Sequence, residues 1–196
     1  MRKKNIIILG GGGHCKSCID IIEQEGKYIV AGILDKPEKI GTRVLNYEII
    51  GTDDDIPKLV KHFRYFFISI GQIRTPDKRI ELFNLLSKYD IKVPTIISPY
   101  AYVSRYTRIG CGTIVMHNAT INACSIVGKN CIINSCALIE HDTIIGDHCH
   151  ISTGAIINGT VNVGTGTFIG SGAVINNNCD LPERSFIKAN SLYLGN

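Results

Sequence analysis

The stretch "CALIEHDTII" (Cys136 to Ile145) sets Glu140, His141 and Asp142 in a run of otherwise mostly apolar residues. A histidine suits proton transfer near neutral pH, because its unperturbed pKa is about 6.5. An acid beside it raises the basicity of the imidazole and fixes its tautomer, as in a catalytic triad. His141 and Asp142 are thus a candidate base and its orienting acid; the plain alternative is an outward-facing surface histidine. A second chemical stretch is "GGGGH" (Gly10 to His14), which follows an apolar run and opens a helical one. Glycines there let a backbone approach a ligand closely, and a helix N-terminus favours phosphate. The stretch is not G-x-G-x-x-G, since Cys15 holds the third glycine position, so a dinucleotide site is weakly supported.

Two further patterns carry less. "HCKSC" (His14 to Cys18) contains C-x-x-C, but no second such pair completes a zinc site, and it reads as two small residues one helical turn apart. His117, His141, His148 and His150 lack the spacing of a metal set, so no metal is expected, and His117 and His148 are expected at the surface.

The totals narrow the classes. The 196 residues suffice for one large domain or two small ones, and the net charge of +4 comes without a dense Lys/Arg block, which argues against nucleic acid. The start mimics a signal peptide for a few residues, but its apolar stretch is five residues long and ends in four glycines. No segment approaches a membrane span. Eight cysteines without an export signal point to free thiols in a reducing cytoplasm.

The elements that must position these residues change rhythm near residue 96. Before it, strand-like "NIIILG", "YIVAGILD" and "YFFISIG" alternate with helix-like "HCKSCIDIIEQEG", "DDDIPKLVKHF" and "DKRIELFNLLSKY", and "KVPTII" closes the series. That alternation predicts an α/β domain, a small parallel sheet flanked by helices, over 1–96. Over 97–196, every sixth residue from Ile97 to Ile187 is Ile, Val or Leu at all sixteen positions, and a small residue follows four places later. No helix or ordinary strand has that period. It predicts an all-β parallel β-helix of hexapeptide repeats, three faces to a coil of eighteen residues and roughly 25 Å tall. Cys131, Cys149 and Cys179 fall on small interior positions, which favours packing over chemistry. The Glu140–His141–Asp142 triplet then falls on a corner, with Glu140 facing outward.

Coil arithmetic adds one inference. Gly159 stacks one coil after His141 and Ala123 one coil before it. A glycine there leaves room and an N–H that could bind a developing oxyanion; the alternative is a glycine required by the turn. His150 lies half a coil from His141, too far within one copy, yet able to face the His141 of a neighbouring copy.

With "GGGGH" at its start and "IEHD" on a hexapeptide corner, the chain resembles the NeuD/PglD-type bacterial sugar acetyltransferases over nearly its whole length. The resemblance implies a Rossmann-like domain followed by a left-handed β-helix, a homotrimer with active sites between subunits, and acetyl-CoA as co-substrate. It implies His141 as general base, Asp142 as its partner, and acetyl-CoA close to Gly159 and His150. It places a nucleotide-sugar against Gly12, Gly13 and His14, with Asp35 against the base and Gly71 on the substrate side. Lys36 stands where some members have a second acid. The usual "G-x-P-A-K"-like ending is absent, and Ala189 stands where some relatives have a coenzyme-contacting glycine. Ser171 of "IGSG" is the better candidate for the pantetheine arm. The activity implied is N-acetylation of a nucleotide-linked 4-amino sugar. O-acetylation of a sialic-acid-like sugar is the second reading. The third, a non-catalytic trimeric sugar-nucleotide binder, has the intact His-Asp pair against it.

Overall fold

The computed structural model describes residues 3–195. It divides into two compact units, Met1–Gly71 with Glu81–Pro94, and Gln72–Ile80 with Thr95–Asn196.

In the first unit, β1 (Lys4–Leu9) lies at the centre of the parallel part of the sheet, between β2 (Tyr28–Leu34) and β5 (Tyr65–Ile68). Ile6 to Leu9 are fully buried, as expected of a strand covered on both faces. The helix α1 (Gly13–Glu25) buries Cys15, Cys18, Ile19, Ile21 and Ile22, so both thiols of the C-x-x-C pair pack inward. It ends at Gly26, whose left-handed backbone returns its N–H to the carbonyl of Ile22. The sheet also holds two strands not foreseen from the sequence, β3 (Arg43–Val44) and β4 (Tyr47–Gly51), paired antiparallel with each other. Their turn is Leu45-Asn46, with Leu45 at φ 52°. Leucine rarely takes that conformation, so no turn signal marked the hairpin. The expected helix over Asp53 to Phe63 shortens to a capped 3₁₀ turn and α2 (Ile56–Leu59), and α3 spans Asp77–Leu86. "KVPTII" is not one strand: Lys92 makes a single bridge to Tyr65, and Ile96–Ile97 begins the second unit's repeats.

The second unit is a three-sided parallel β-helix of two-residue strands, each paired with the strand eighteen residues on. The first face starts at Ile96–Ile97, the second at Tyr102–Val103 and the third at Arg108–Ile109. The hexad residues, Val115, Ile121, Val127 and onward to Leu181, form one continuous core. Each fully buried aliphatic contributes about 1.5–3 kcal/mol over exposure. The small positions do more than fit. Their hydroxyls and thiols donate to the corner carbonyl fifteen residues on: Thr113 to Gly128 at 2.8 Å, Ser125 to Glu140 at 2.7 Å, Cys149 to Gly164 at 3.2 Å. Side chains thereby satisfy carbonyls that the ladder leaves over. Corners repeat a left-handed residue every six positions, among them Cys124, Cys136, Asp142 and His148. Among the described residues no helix is long and apolar enough to cross a membrane.

Candidate active site

His141 stands on the corner between the second and third faces, after the strand Leu138–Ile139. Asp142 takes the left-handed position of that corner, φ 59°. The tight turn folds its carboxylate back onto the preceding side chain, and His141 Nδ1 donates to Asp142 Oδ2 at 2.8 Å. A carboxylate only accepts, so the Nδ1 proton is fixed and Nε2 keeps its lone pair. The His141 side chain is 61% exposed.

Gly159 lies where the eighteen-residue register puts it: Thr160 N–H donates to His141 O at 3.1 Å. Its backbone is not left-handed, so the turn does not require glycine there. The imidazole does. A Cβ on Gly159 would lie 2.9 Å from His141 Cε1 and 3.0 Å from Nε2. Among the described residues nothing accepts from the Gly159 N–H. Glu140 O accepts from Ser125 Oγ, and Glu140 Oε2 accepts from Asn122 Nδ2 at 2.8 Å.

The structure gives His150 other partners than the expected coenzyme. It lies on the first face, 7% exposed. Nδ1 donates to Gln72 O at 2.5 Å, and Nε2 accepts from Asn134 Nδ2 at 3.1 Å, so both ring nitrogens are engaged. Burial pushes its pKa down to about 4, and the Arg79 charge adds to this against the pull of the Gln72 carbonyl. His148, expected at the surface, is buried at 6% exposure and bonded to Asn130 Nδ2. The cause is the Gln72–Ile80 segment, invisible to the hexad pattern. Arg79 reaches Asn130 Oδ1 at 2.8 Å, and Asp77 pairs with Arg184 at 2.8 Å. His117 Nδ1 meets Ser98 Oγ at 2.7 Å.

Ser171 and Ala189 are exposed on a different corner, between the first and second faces, where Ser171 Oγ meets Ser152 Oγ at 2.9 Å. One copy of the chain therefore does not bring them to His141. Between the two corners runs the second face, whose outward residues include Leu138, Ile156, Val174 and Leu192.

In the first unit the four loop glycines divide. Gly10 has φ 99° and is pressed against Ile70, and a Cβ on Gly11 would lie 2.9 Å from Asp35 Oδ2. Gly12 and Gly13, at the start of α1, have nothing within 4 Å of that position. The fold needs the first two; the open space beside the last two suits a ligand. A Cβ on Gly71 would meet that of His14 at 3.6 Å, so these two predicted residues are neighbours. Asp35 accepts from Gly11 N–H, Lys36 N–H and Lys39 Nζ, each at 2.8 Å. Burial raises its pKa, but these donors outweigh that and hold the carboxyl below the ordinary aspartate value. Asp35 thus braces the loop, while the Lys36 side chain is exposed. Sequence reasoning missed Lys39 and Ser69, whose Oγ lies 2.5 Å from Gly10 O. Only the loop's folded path brings them to the glycines. Among the described residues no group of His, Cys, Asp and Glu could hold a metal.

Known proteins share this fold. The PglD N-terminal domain family matches residues 5–84. A variant of perosamine N-acetyltransferase from Caulobacter crescentus, solved with CoA and GDP-perosamine, is 30% identical. That match covers 98% of this chain and 89% of the other, with a TM-score of 0.91. The acetyltransferase domain of PglB from Neisseria gonorrhoeae FA1090, solved with acetyl coenzyme A, is 25% identical over 99% of this chain and 92% of its own, TM-score 0.90. WeeI from Acinetobacter baumannii AYE, 18% identical over 95% of this chain and 94% of its own with a TM-score of 0.75, shares the fold. No curated protein sequence matches. With a small α/β domain followed in sequence by a left-handed β-helix, and with these neighbours, the chain is an acetyl-CoA-dependent sugar acetyltransferase. The chain belongs to the NeuD/PglD-type family of these enzymes.

Proposed function

We propose that this enzyme transfers the acetyl group of acetyl-CoA to the amine of a nucleotide-linked 4-amino sugar, with His141 as the general base. The observation that carries the reading is the His141–Asp142 pair, with its free Nε2 beside the backbone of Gly159. The amine nitrogen attacks the thioester carbonyl carbon while Nε2 takes its proton. The tetrahedral intermediate carries an oxyanion, for which the Gly159 N–H is the donor at hand. Collapse breaks the carbon–sulfur bond, and the imidazolium returns the proton to the departing thiolate. Asp142 steadies the imidazolium between these steps.

Gly12, Gly13, His14 and Gly71 are the groups we assign to the nucleotide-sugar, with Asp35 and Lys36 beside the loop. The open space at Gly12 and Gly13 supports this. A GDP-linked sugar is the first acceptor to try, because the similar Caulobacter enzyme was solved with GDP-perosamine. Ser171 and Ala189 are assigned to the coenzyme arm of a neighbouring copy. Their separation from His141 by an apolar face supports a homotrimer with sites completed between subunits. The eight cysteines are free thiols, which suits the cytoplasm.

The test is thiol release from acetyl-CoA across GDP-, UDP- and dTDP-linked 4-amino sugars, with free sialic acids alongside. Release with at least one amino-sugar nucleotide is expected. Release with the free acids alone would favour O-acetylation and overturn the reading.

A further inference from the structure

The reaction just assigned uses His141 and Asp142 but leaves the first member of the triplet without a task. Glu140 is half-buried, and one carboxylate oxygen is held by Asn122 Nδ2. That bond crosses from the preceding coil and fixes the headgroup, leaving its other oxygen to meet a ligand. No cation pairs with Glu140 among the described residues. The charges around it are equally one-sided. The same corner carries Asp142, while the corner positions one coil to either side are Asn122, Ala123, Cys124, Asn158, Gly159 and Thr160. The outward residues of the flanking strands, Leu138 and Ile144, are uncharged. The nearest cation along the corner is Arg105, two coils away, and its guanidinium is spent on the ring and hydroxyl of Tyr106.

Two carboxylates therefore stand beside His141 in sequence, on a corner that no basic residue offsets among the described residues. Such a site attracts a cation and repels an anion, and it gives a neutral hydroxyl no comparable advantage. An amino sugar arrives largely as its ammonium form, whereas the hydroxyl of an O-acetylation acceptor is neutral. We propose that Glu140 is an acceptor-binding residue that selects an ammonium-bearing sugar over its hydroxyl counterpart. The ammonium docks on the carboxylate fixed by Asn122 and gives one proton to solvent; His141 Nε2, on the next residue, takes the second as the neutral amine attacks. This rests on the N-acetyltransferase reading above and names what distinguishes its substrate.

The experiment uses the full-length enzyme and the amino-sugar nucleotide that gives the fastest thiol release. Its 4-hydroxyl counterpart serves as competitive ligand. Glu140→Gln keeps an oxygen for Asn122 and removes the charge; Glu140→Asp keeps the charge on a shorter arm. For Glu140→Gln at pH 7, KM for the amino sugar is expected to rise roughly tenfold, as befits loss of a charged hydrogen bond. KM for acetyl-CoA and kcat should stay within about twofold. The preference for the amine over the hydroxyl counterpart should collapse. The KM defect should shrink at a pH where the amine is already neutral, and Glu140→Asp should fall between wild type and Glu140→Gln. A wild-type KM and preference in Glu140→Gln, or a defect equal at both pH values, would overturn the proposal alone. No release by the wild-type enzyme with any amino-sugar nucleotide would overturn the functional reading and the proposal with it.

Discussion

His141 has one ring nitrogen committed to Asp142 and one open, and the rate should depend on the open one. Replacing His141 with Ala is expected to lower kcat by roughly a hundredfold while nucleotide-sugar affinity, read by calorimetry, stays at the wild-type value. Gly159→Ala tests the neighbour. Its new methyl would sit 2.9 Å from the imidazole, so the ring must swing away from its place. We expect kcat/KM to fall by about tenfold or more with an unchanged melting temperature, since the side chain displaced is exposed. Both residues and their adjacency were legible in the sequence, because an unbroken period of eighteen turns subtraction into a map. The reason for the glycine was left open between room beside His141 and a demand of the turn, and the backbone of Gly159 removes the second. Periodicity says which residues stack, but the imidazole's orientation over Gly159 follows from Asp142 in its left-handed turn. His148 was misplaced for a related cause. The hexads put Asn130 one coil before His148 but are silent on Arg79, which reaches Asn130 from fifty-one residues away and closes over that histidine's surroundings.

The strand–loop–helix that opens the chain separates two kinds of glycine. Gly10 has φ 99° and no space, so Gly10→Ala should cost about 1–3 kcal/mol in urea unfolding. Gly12→Ala and Gly13→Ala should leave stability within about 0.5 kcal/mol, yet raise KM for the nucleotide-sugar roughly tenfold, because the methyl would occupy ligand space. An unchanged KM in both would remove this loop from the binding site. Sequence composition alone made the four residues look alike. Only the path of Ile70, Asp35 and Ile49 around the first two tells them apart. Strands β1, β2 and β5 were readable from their apolar runs, while the β3–β4 hairpin was hidden behind Leu45 in a conformation leucine seldom adopts.

At the scale of the molecule, pH and assembly are the readouts. His150 titrates at about 4 when folded and near 6.5 when unfolded, and burial moves His148 the same way. A depressed histidine pKa means that the unfolded chain binds more protons between those values. Stability is therefore expected to be undiminished above pH 6.5 and to decline as pH falls toward 4, by about 3 kcal/mol from His150. Thermal melts of wild type and His150→Gln should diverge across that window, the variant declining less. Assembly has its own test. If each site joins the His141 corner of one copy to the Ser171 corner of the next, mixed trimers of His141→Ala and Ser171→Trp should regain activity that neither has alone. Failure to complement would remove the Ser171 corner from the site.

The unbroken hexapeptide register has a consequence for how this protein can lengthen or shorten. Every face, corner and core position returns after eighteen residues, while the core pattern alone returns after six. Excising one whole coil outside the stretch from His141 to Gly159 changes height and keeps the two in register. Excising six residues between His141 and Gly159 would leave an uninterrupted aliphatic core, but it would rotate everything downstream by one third of a turn. Thr165 would then arrive beside the imidazole in place of Gly159. The fold tolerates lengths counted in sixes; the chemistry tolerates only those counted in eighteens.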